Sequence, residues 1–255
     1  MAIRTVTLDG ITTIEIARPE KRNALTQAMY RDMSASITAA RADENVRALL
    51  ITGQPGIFTA GNDLEDFLRA AAASGESSAV TGFMQALFEC EKPVIAAVTG
   101  AAVGIGATML LHCDLVYLSD QAQLLLPFVA LGLVPEFASS LLLPQRLGHA
   151  RAAQVLLLGE SISAAEAVEL GLATAVLPSN DLLAHARRMA KRFNSLSPGA
   201  VRDSKRLMRA GSSAAVARAM QEENAAFAAR LQSVEARAAL QAFLQKRRPD
   251  AGRSS

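Results

Sequence analysis

Three places in the chain carry residues that could act on a carbonyl compound. The run Phe58-Thr59-Ala60-Gly61-Asn62-Asp63-Leu64 follows an apolar strand pattern and leads into a helical one, so it offers unpaired backbone N–H groups near Asn62. Gly100 to Gly106 repeats the arrangement after the apolar, β-branched stretch Pro93 to Val98, with Gly100, Gly104 and Gly106 permitting a tight turn into a helix. Glu136, in Leu-Gly-Leu-Val-Pro-Glu-Phe, is the only acid between Asp120 and Glu160, and its apolar neighbours would raise the proton affinity of its carboxyl. Donors from two loops can form an oxyanion hole, suited to a carbonyl that gains enolate charge, and a thioester is the natural guest.

Each feature has a plainer reading. Asn62 or Asp63 can serve as the N-cap of the helix that follows. Glu136 can stabilise the dipole of a helix over Phe137 to Gln145. His112-Cys113-Asp114 looks like a metal cluster on paper, but adjacent helical residues point about 100° apart and do not converge, so it reads as a helix end. HExxH, Walker A and G-x-S-x-G patterns are missing, and Gly104-x-Gly106 lacks the third glycine of a dinucleotide fingerprint.

The elements that must position these residues can be read from periodicity. Thr5 to Leu8 and Thr12 to Ala17 alternate around Asp9-Gly10, which predicts a hairpin. Leu25, Met29, Met33 and Ile37 form one face of a helix over Leu25 to Ala40, and Val46 to Thr52 reads as a strand. Helices over Leu64 to Ala73 and Val80 to Cys90, separated by SGESS, precede the Pro93 strand. Further strands are expected at Asp114 to Leu118, Gln123 to Leu126 and Ala173 to Leu177, with helices at Ala150 to Leu158 and Ala164 to Leu170. From Asp181 onward the pattern is helical only, which places a boundary near Ser195 to Pro198: a core over 1–195 and a helical segment over 196–255. No internal repeat is evident in the sequence.

Composition narrows the classes of function. Lys+Arg number 26 and Asp+Glu 24, so charge does not call for a nucleic acid or an anionic membrane. Cys90 and Cys113 make neither a disulfide framework nor a zinc pattern, which suggests a reducing compartment. No signal peptide, membrane span or peroxisomal tripeptide is evident, and a cytoplasmic location is expected.

FTAGNDL, AVTGAAVGIGATMLLHCDLV and LPFVALGLVPE stand in the order and spacing of the enoyl-CoA hydratase/isomerase, or crotonase, family. Arg18-Pro19 with Asn23-Ala24, SAAEAVELGLATAV and FLQKRRP extend the resemblance over nearly the whole chain. It implies an α/β fold, a spiral of ββα units with C-terminal helices that build a homotrimer or a dimer of trimers. It also implies an acyl-CoA substrate, without a metal or a separate cofactor. By position, the N–H groups of Asn62 and Ile105 resemble the oxyanion donors. Ala60, Gly61, Asp63, Leu64 and Gly104 would lie beside the substrate and Arg22 and Ala24 near its nucleotide end, and either Phe128 or Phe137 could line the acyl tunnel. Phe243 and Lys246 would reach a neighbouring subunit's ligand.

Hydratases of the family use two glutamates, and Thr108 and Phe128 occupy those positions here. Glu136 instead matches the catalytic glutamate of one branch of Δ3,Δ2-enoyl-CoA isomerases, although that branch usually carries glycine where this chain has Phe137. The expected activity is therefore the isomerase. The alternatives are a hydratase or other crotonase-fold acyl-CoA enzyme, and a non-catalytic acyl-CoA or RNA-binding scaffold.

Overall fold

The computed structural model describes residues 2–72 and 79–247; the SGESS stretch and the side chain of Lys246 lie outside the described residues. β1 (Ile3–Leu8) and β2 (Ile11–Ile16) form the expected hairpin, with Asp9 and Gly10 at φ of 50° and 73°, as a primed two-residue turn requires. α1 (Gln27–Ala42) follows, capped by the Thr26 hydroxyl on the Met29 N–H, and buries Met29, Tyr30, Met33 and Ile37. Each such side chain contributes about 1.5–3 kcal/mol on burial.

The middle of the chain repeats one structural unit that its sequence does not display as a repeat. β3 (Ala48–Thr52) is followed by β4 (Ile57–Thr59), β5 (Val94–Val98) by β6 (Ala101–Val103), and β7 (Leu115–Ser119) by β8 (Gln123–Leu125). The first strand of each pair enters a six-stranded sheet, ordered β1-β2-β3-β5-β7-β10, and the second enters a four-stranded sheet, ordered β4-β6-β8-β9. β9 is Ile162–Ser163 and β10 is Ala175–Leu177. The helices between them are α2 (Leu64–Ala72), α3 (Ala79–Phe88), α4 (Ile105–Thr108), α5 (Ser139–Leu147), α6 (His149–Leu157) and α7 (Ala164–Glu169). The chain thus climbs as a spiral of ββα turns.

In the middle of the large sheet β3 and β5 are covered on both faces and read as apolar runs, whereas β1 at its edge is largely exposed. Leu49, Ile51, Val94, Ala96 and Val98 face the main core with α1 and α3. Their alternates Ala48, Leu50, Ile95 and Ala97 pack on Leu182, Ala186 and Ala190 of α8 (Ser179–Lys191).

Two differences from the sequence reading matter for the site. β4 and β6 lie inside stretches expected as loops, because strands of three residues are too short for a period to register. The helix expected after the Gly100 to Gly106 turn is instead the short α4 followed by a 3-10 turn at Met109–His112, all of it buried.

α9 (Pro198–Ala210), α10 (Ser213–Leu231) and α11 (Val234–Arg247) fold back on the core. Phe243, on α11, is partly exposed. α9 is fastened by Lys205, whose Nζ donates to Asp114 Oδ2 at 2.6 Å and to the Lys92 carbonyl at 2.8 Å. Lys205 is buried, whereas Asp114 lies at the surface with 26% of its side chain exposed. Replacing Lys205 by Met leaves the Asp114 carboxylate without its main counter-charge, and the expected cost is about 2–4 kcal/mol in a urea titration. An unchanged midpoint would refute this account of how α9 docks.

Candidate active site

The segment Arg18 to Leu25 and the loop Phe58 to Leu64 are laced together. Ala60 N–H donates to the Arg22 carbonyl at 3.1 Å, Leu25 N–H to the Gly61 carbonyl at 2.8 Å, and Asp63 N–H to the Leu25 carbonyl at 2.8 Å. Buried Asn23 sends its amide to the carbonyls of Ile57 and Phe58, and the Thr59 hydroxyl donates to the Asn23 carbonyl at 2.6 Å. Arg22, Ala24, Ala60, Gly61, Asp63 and Leu64, expected around one ligand, are thereby brought to one place. Arg22 is exposed and Ala24 buried.

Of the two N-cap candidates, Asp63 takes the role, its Oδ1 accepting from the Asp66 N–H at 3.2 Å. Its Oδ2 binds Arg18 at 2.7 Å. Burial pushes the Asp63 carboxyl up, but hydrogen bonds from Arg18 and the Asp66 N–H, with the charges of Arg18 and Lys21, outweigh it and hold the group below its ordinary value.

Asn62 and Ile105 meet because β4 and β6 are parallel neighbours, with Ile57 opposite Ala101 and Thr59 opposite Ala102. Both loops leave the same edge of the small sheet. Gly61, at φ +83°, passes so close to the second loop that a Cβ there would lie 2.9 Å from the Val103 carbonyl oxygen. Ile105 is the first residue of α4, and Gly104 turns into it with its own N–H spent on Leu125. Among the described residues, neither the Asn62 nor the Ile105 N–H has an acceptor. The Asn62 side chain accepts from the Tyr30 hydroxyl at 2.5 Å.

Glu136 is 4 % exposed, and among the described residues its Oε1 is the buried side-chain oxygen or nitrogen with no hydrogen-bond partner. Burial, with the charge of Glu223 added, pushes its pKa up to about 8. It lies close enough to Tyr30 for its charge, after burial, to raise the phenol well above its ordinary value. Tyr30 therefore links Glu136 to the Asn62 loop.

The helix expected from Phe137 begins instead at Ser139, because Phe137 and Ala138 adopt left-handed φ of 58° and 56°. Residues other than glycine held there cost of order 1–3 kcal/mol each, so the turn must be restrained from outside. His112 Nε2 donates to the Phe137 carbonyl at 2.8 Å and stacks on the Phe137 ring with centroids 3.7 Å apart. Phe83 packs edge-on against the same ring, and Phe137 is fully buried between these neighbours. Phe128 is buried as well. The Glu223 carboxylate, from α10, accepts from the N–H groups of Ala138 and Ser140 at 2.5 and 2.8 Å. Glu223, not Glu136, thus serves the N-terminus of α5.

The His112-Cys113-Asp114 side chains go separate ways: to Phe137, to the Met109 carbonyl, and to Lys205. Burial pulls the His112 pKa down to about 3, so the ring is neutral and Nε2 carries the proton donated to Phe137. The unfolded chain takes up this proton below about 6.5. Stability gained from neutral His112 is present above that value and is lost as the pH falls toward 3. His112→Gln, which can still donate but does not titrate, should flatten the curve of urea midpoint against pH between 6 and 4; an unchanged slope would count against the assignment.

Tyr30, His112 and Glu223 were not among the residues read as functional from the sequence. Glu223 left a signal. Val216, Met220, Phe227 and Leu231 define an apolar stripe on α10, and an acid at position 223 falls on that stripe.

A family model described as enoyl-CoA hydratase/isomerase matches residues 7–253. The chain is 34% identical over 243 residues to enoyl-CoA delta isomerase 2 of Rattus norvegicus, covering 93% of this chain and 62% of that protein, so it spans less than two thirds of that relative's length. It is 31% identical over 240 residues to 2,3-dehydroadipyl-CoA hydratase of Escherichia coli K12, covering 94% of each. The structure of Pseudomonas aeruginosa OdaA is similar at a TM-score of 0.92 and 50% identity, covering 95% of this chain and 98% of that one.

Proposed function

The chain belongs to the enoyl-CoA hydratase/isomerase, or crotonase, family and has its fold, and from that membership we propose that it is a Δ3,Δ2-enoyl-CoA isomerase. The observation that carries this reading is the buried carboxyl of Glu136, whose Oε1 has no hydrogen-bond partner, within electrostatic reach of Tyr30, which in turn is hydrogen-bonded to the Asn62 loop. A buried polar atom left without a partner needs an explanation, and an acid/base waiting for a substrate is one.

The thioester oxygen of a 3-enoyl-CoA would accept from the Asn62 and Ile105 N–H groups. The Glu136 carboxylate removes a proton from the α carbon; the electron pair passes into the conjugated dienolate, and the two donors hold its oxyanion. The protonated Glu136 then returns its proton to the γ carbon, leaving the 2-enoyl thioester and the carboxylate. A base with a pKa near 8 is well matched to this exchange at neutral pH, with part of it ionised. Arg22, Ala24, Ala60, Asp63 and Leu64 are proposed to border the coenzyme A portion.

The E. coli relative favours a second reading, a hydratase. Water addition in the family draws on two glutamates, and neither Thr108 nor Phe128 can replace them. Thr108 is fully buried, its hydroxyl directed at the Ile105 carbonyl 3.5 Å away. A coupled absorbance assay offered 3-enoyl-CoA and 2-enoyl-CoA separately should show conversion of the first and little hydration of the second. Rapid hydration without isomerisation would reverse the order of the two readings.

A further inference from the structure

Glu136 is followed by two left-handed residues, and α5 holds the second of them through the Ala138 carbonyl, which accepts from the N–H groups of Leu141 and Leu142. Ser139 ties back to the Glu136 carbonyl, its hydroxyl donating at 2.7 Å and its N–H at 3.1 Å. The remaining restraint crosses from elements distant in sequence: His112 on the Phe137 carbonyl, and Glu223 on two N–H groups flanking Ser139. Glu223 lies 85 residues from Ala138 and is 7 % exposed, so both of its oxygens are committed in a dry contact. A carboxylate that grips Ala138 and Ser140 together fixes where the chain leaves Glu136.

Resting on the reading of Glu136 as the acid/base, we propose that Glu223 is a positioning residue for the isomerisation, a carboxylate on the C-terminal helix α10 that holds the Glu136 turn in its left-handed form and sets the charge behind it. The groups that face Glu136 are Glu223 from α10, the Tyr30 phenol from α1 and Asn62 through Tyr30, with neutral His112 behind the turn. Glu223 is the other acid among these; burial pushes its own carboxyl up against the pull of its hydrogen bonds from Ser140 and Ala138, and its charge adds to burial in raising the Glu136 pKa. One side chain therefore couples the fold of the C-terminal helices to both the aim and the proton affinity of the base.

The test compares kcat and KM against pH for the unaltered enzyme, Glu223→Gln, Glu223→Asp and Glu136→Gln, with 3-enoyl-CoA as substrate. The unaltered enzyme should gain activity as the pH rises through about 8. In Glu223→Gln this limb should move to lower pH, since a negative neighbour is gone, while the plateau kcat falls roughly 10- to 100-fold through lost aim, with KM little changed. Glu223→Asp keeps the charge, so its limb should stay where it was; its shorter reach cannot span both N–H groups, so its plateau should still fall.

An unmoved limb in Glu223→Gln would leave Glu223 a merely structural cap and overturn the proposal. If that variant does not fold, Glu223→Asp decides, and an unaltered plateau in it overturns the proposal equally. Substantial activity in Glu136→Gln would instead remove the underlying reading of the site. Inactive Glu136→Gln with an unmoved Glu223→Gln limb removes only the role given to Glu223.

Discussion

Glu136→Gln should lower kcat for 3-enoyl-CoA isomerisation by about 1,000- to 10,000-fold while leaving the affinity for a saturated acyl-CoA within roughly threefold. The substitution keeps shape and burial but removes the group proposed to take and return the proton. The proposed oxyanion donors are backbone N–H groups of Asn62 and Ile105, which the change does not touch, so ground-state binding should persist. A variant that keeps more than about a tenth of the activity would sink the assignment.

The same variant should behave in an unusual way toward denaturant. The unfolded Glu136 loses its proton near 4.5, whereas the folded one holds it until about 8. Between those values the folded state binds the extra proton, so stability falls as the pH rises and levels off above about 8. At roughly 1.4 kcal/mol per pH unit the ceiling on this loss is about 5 kcal/mol. Glutamine does not ionise, so Glu136→Gln should lose less stability than the unaltered protein between pH 5 and pH 9. Parallel curves of urea midpoint against pH would show that the carboxyl is not buried as described.

Much of the candidate site was legible as residue type and spacing, and the unread part has a physical cause. Glycine runs after apolar strands marked both loops because only particular backbones need such residues there. A lone acid in an apolar stretch marked Glu136. What periodicity did not show was that the loops leave a second sheet: β4 and β6 have three residues each, and a two-residue period needs more than that to appear. The left-handed pair Phe137-Ala138 was invisible because neither residue favours that backbone; contacts with His112 and Glu223 impose it. Tertiary hydrogen bonds of this kind join positions far apart in sequence, and spacing along the chain carries no trace of them beyond an acid on an otherwise apolar helix face.

Gly106→Ala should reduce kcat about 100- to 1,000-fold, and adding Thr59→Ser should recover most of the loss. A Cβ on Gly106 would stand 2.4 Å from Thr59 Cγ2, a distance no packed pair tolerates. Thr59 cannot turn aside cheaply. Its hydroxyl donates to the Asn23 carbonyl at 2.6 Å and accepts from the Gly61 N–H at 3.1 Å, and it is fully buried. Rotating it to admit the methyl would surrender the two bonds that set the loop one residue before Asn62. The clash therefore separates the two donors: the Ile105 side is pushed from β4, or the Asn62 side loses its anchor. Losing one oxyanion donor carries a penalty of the size given above. Serine keeps the hydroxyl and both of its bonds but lacks Cγ2, and the next nearest atom, the Thr59 carbonyl oxygen, lies at an ordinary 3.5 Å from the added Cβ. A double variant as poor as Gly106→Ala, with Thr59→Ser alone near full activity, would mean that the approach of the two loops is not what aligns the donors.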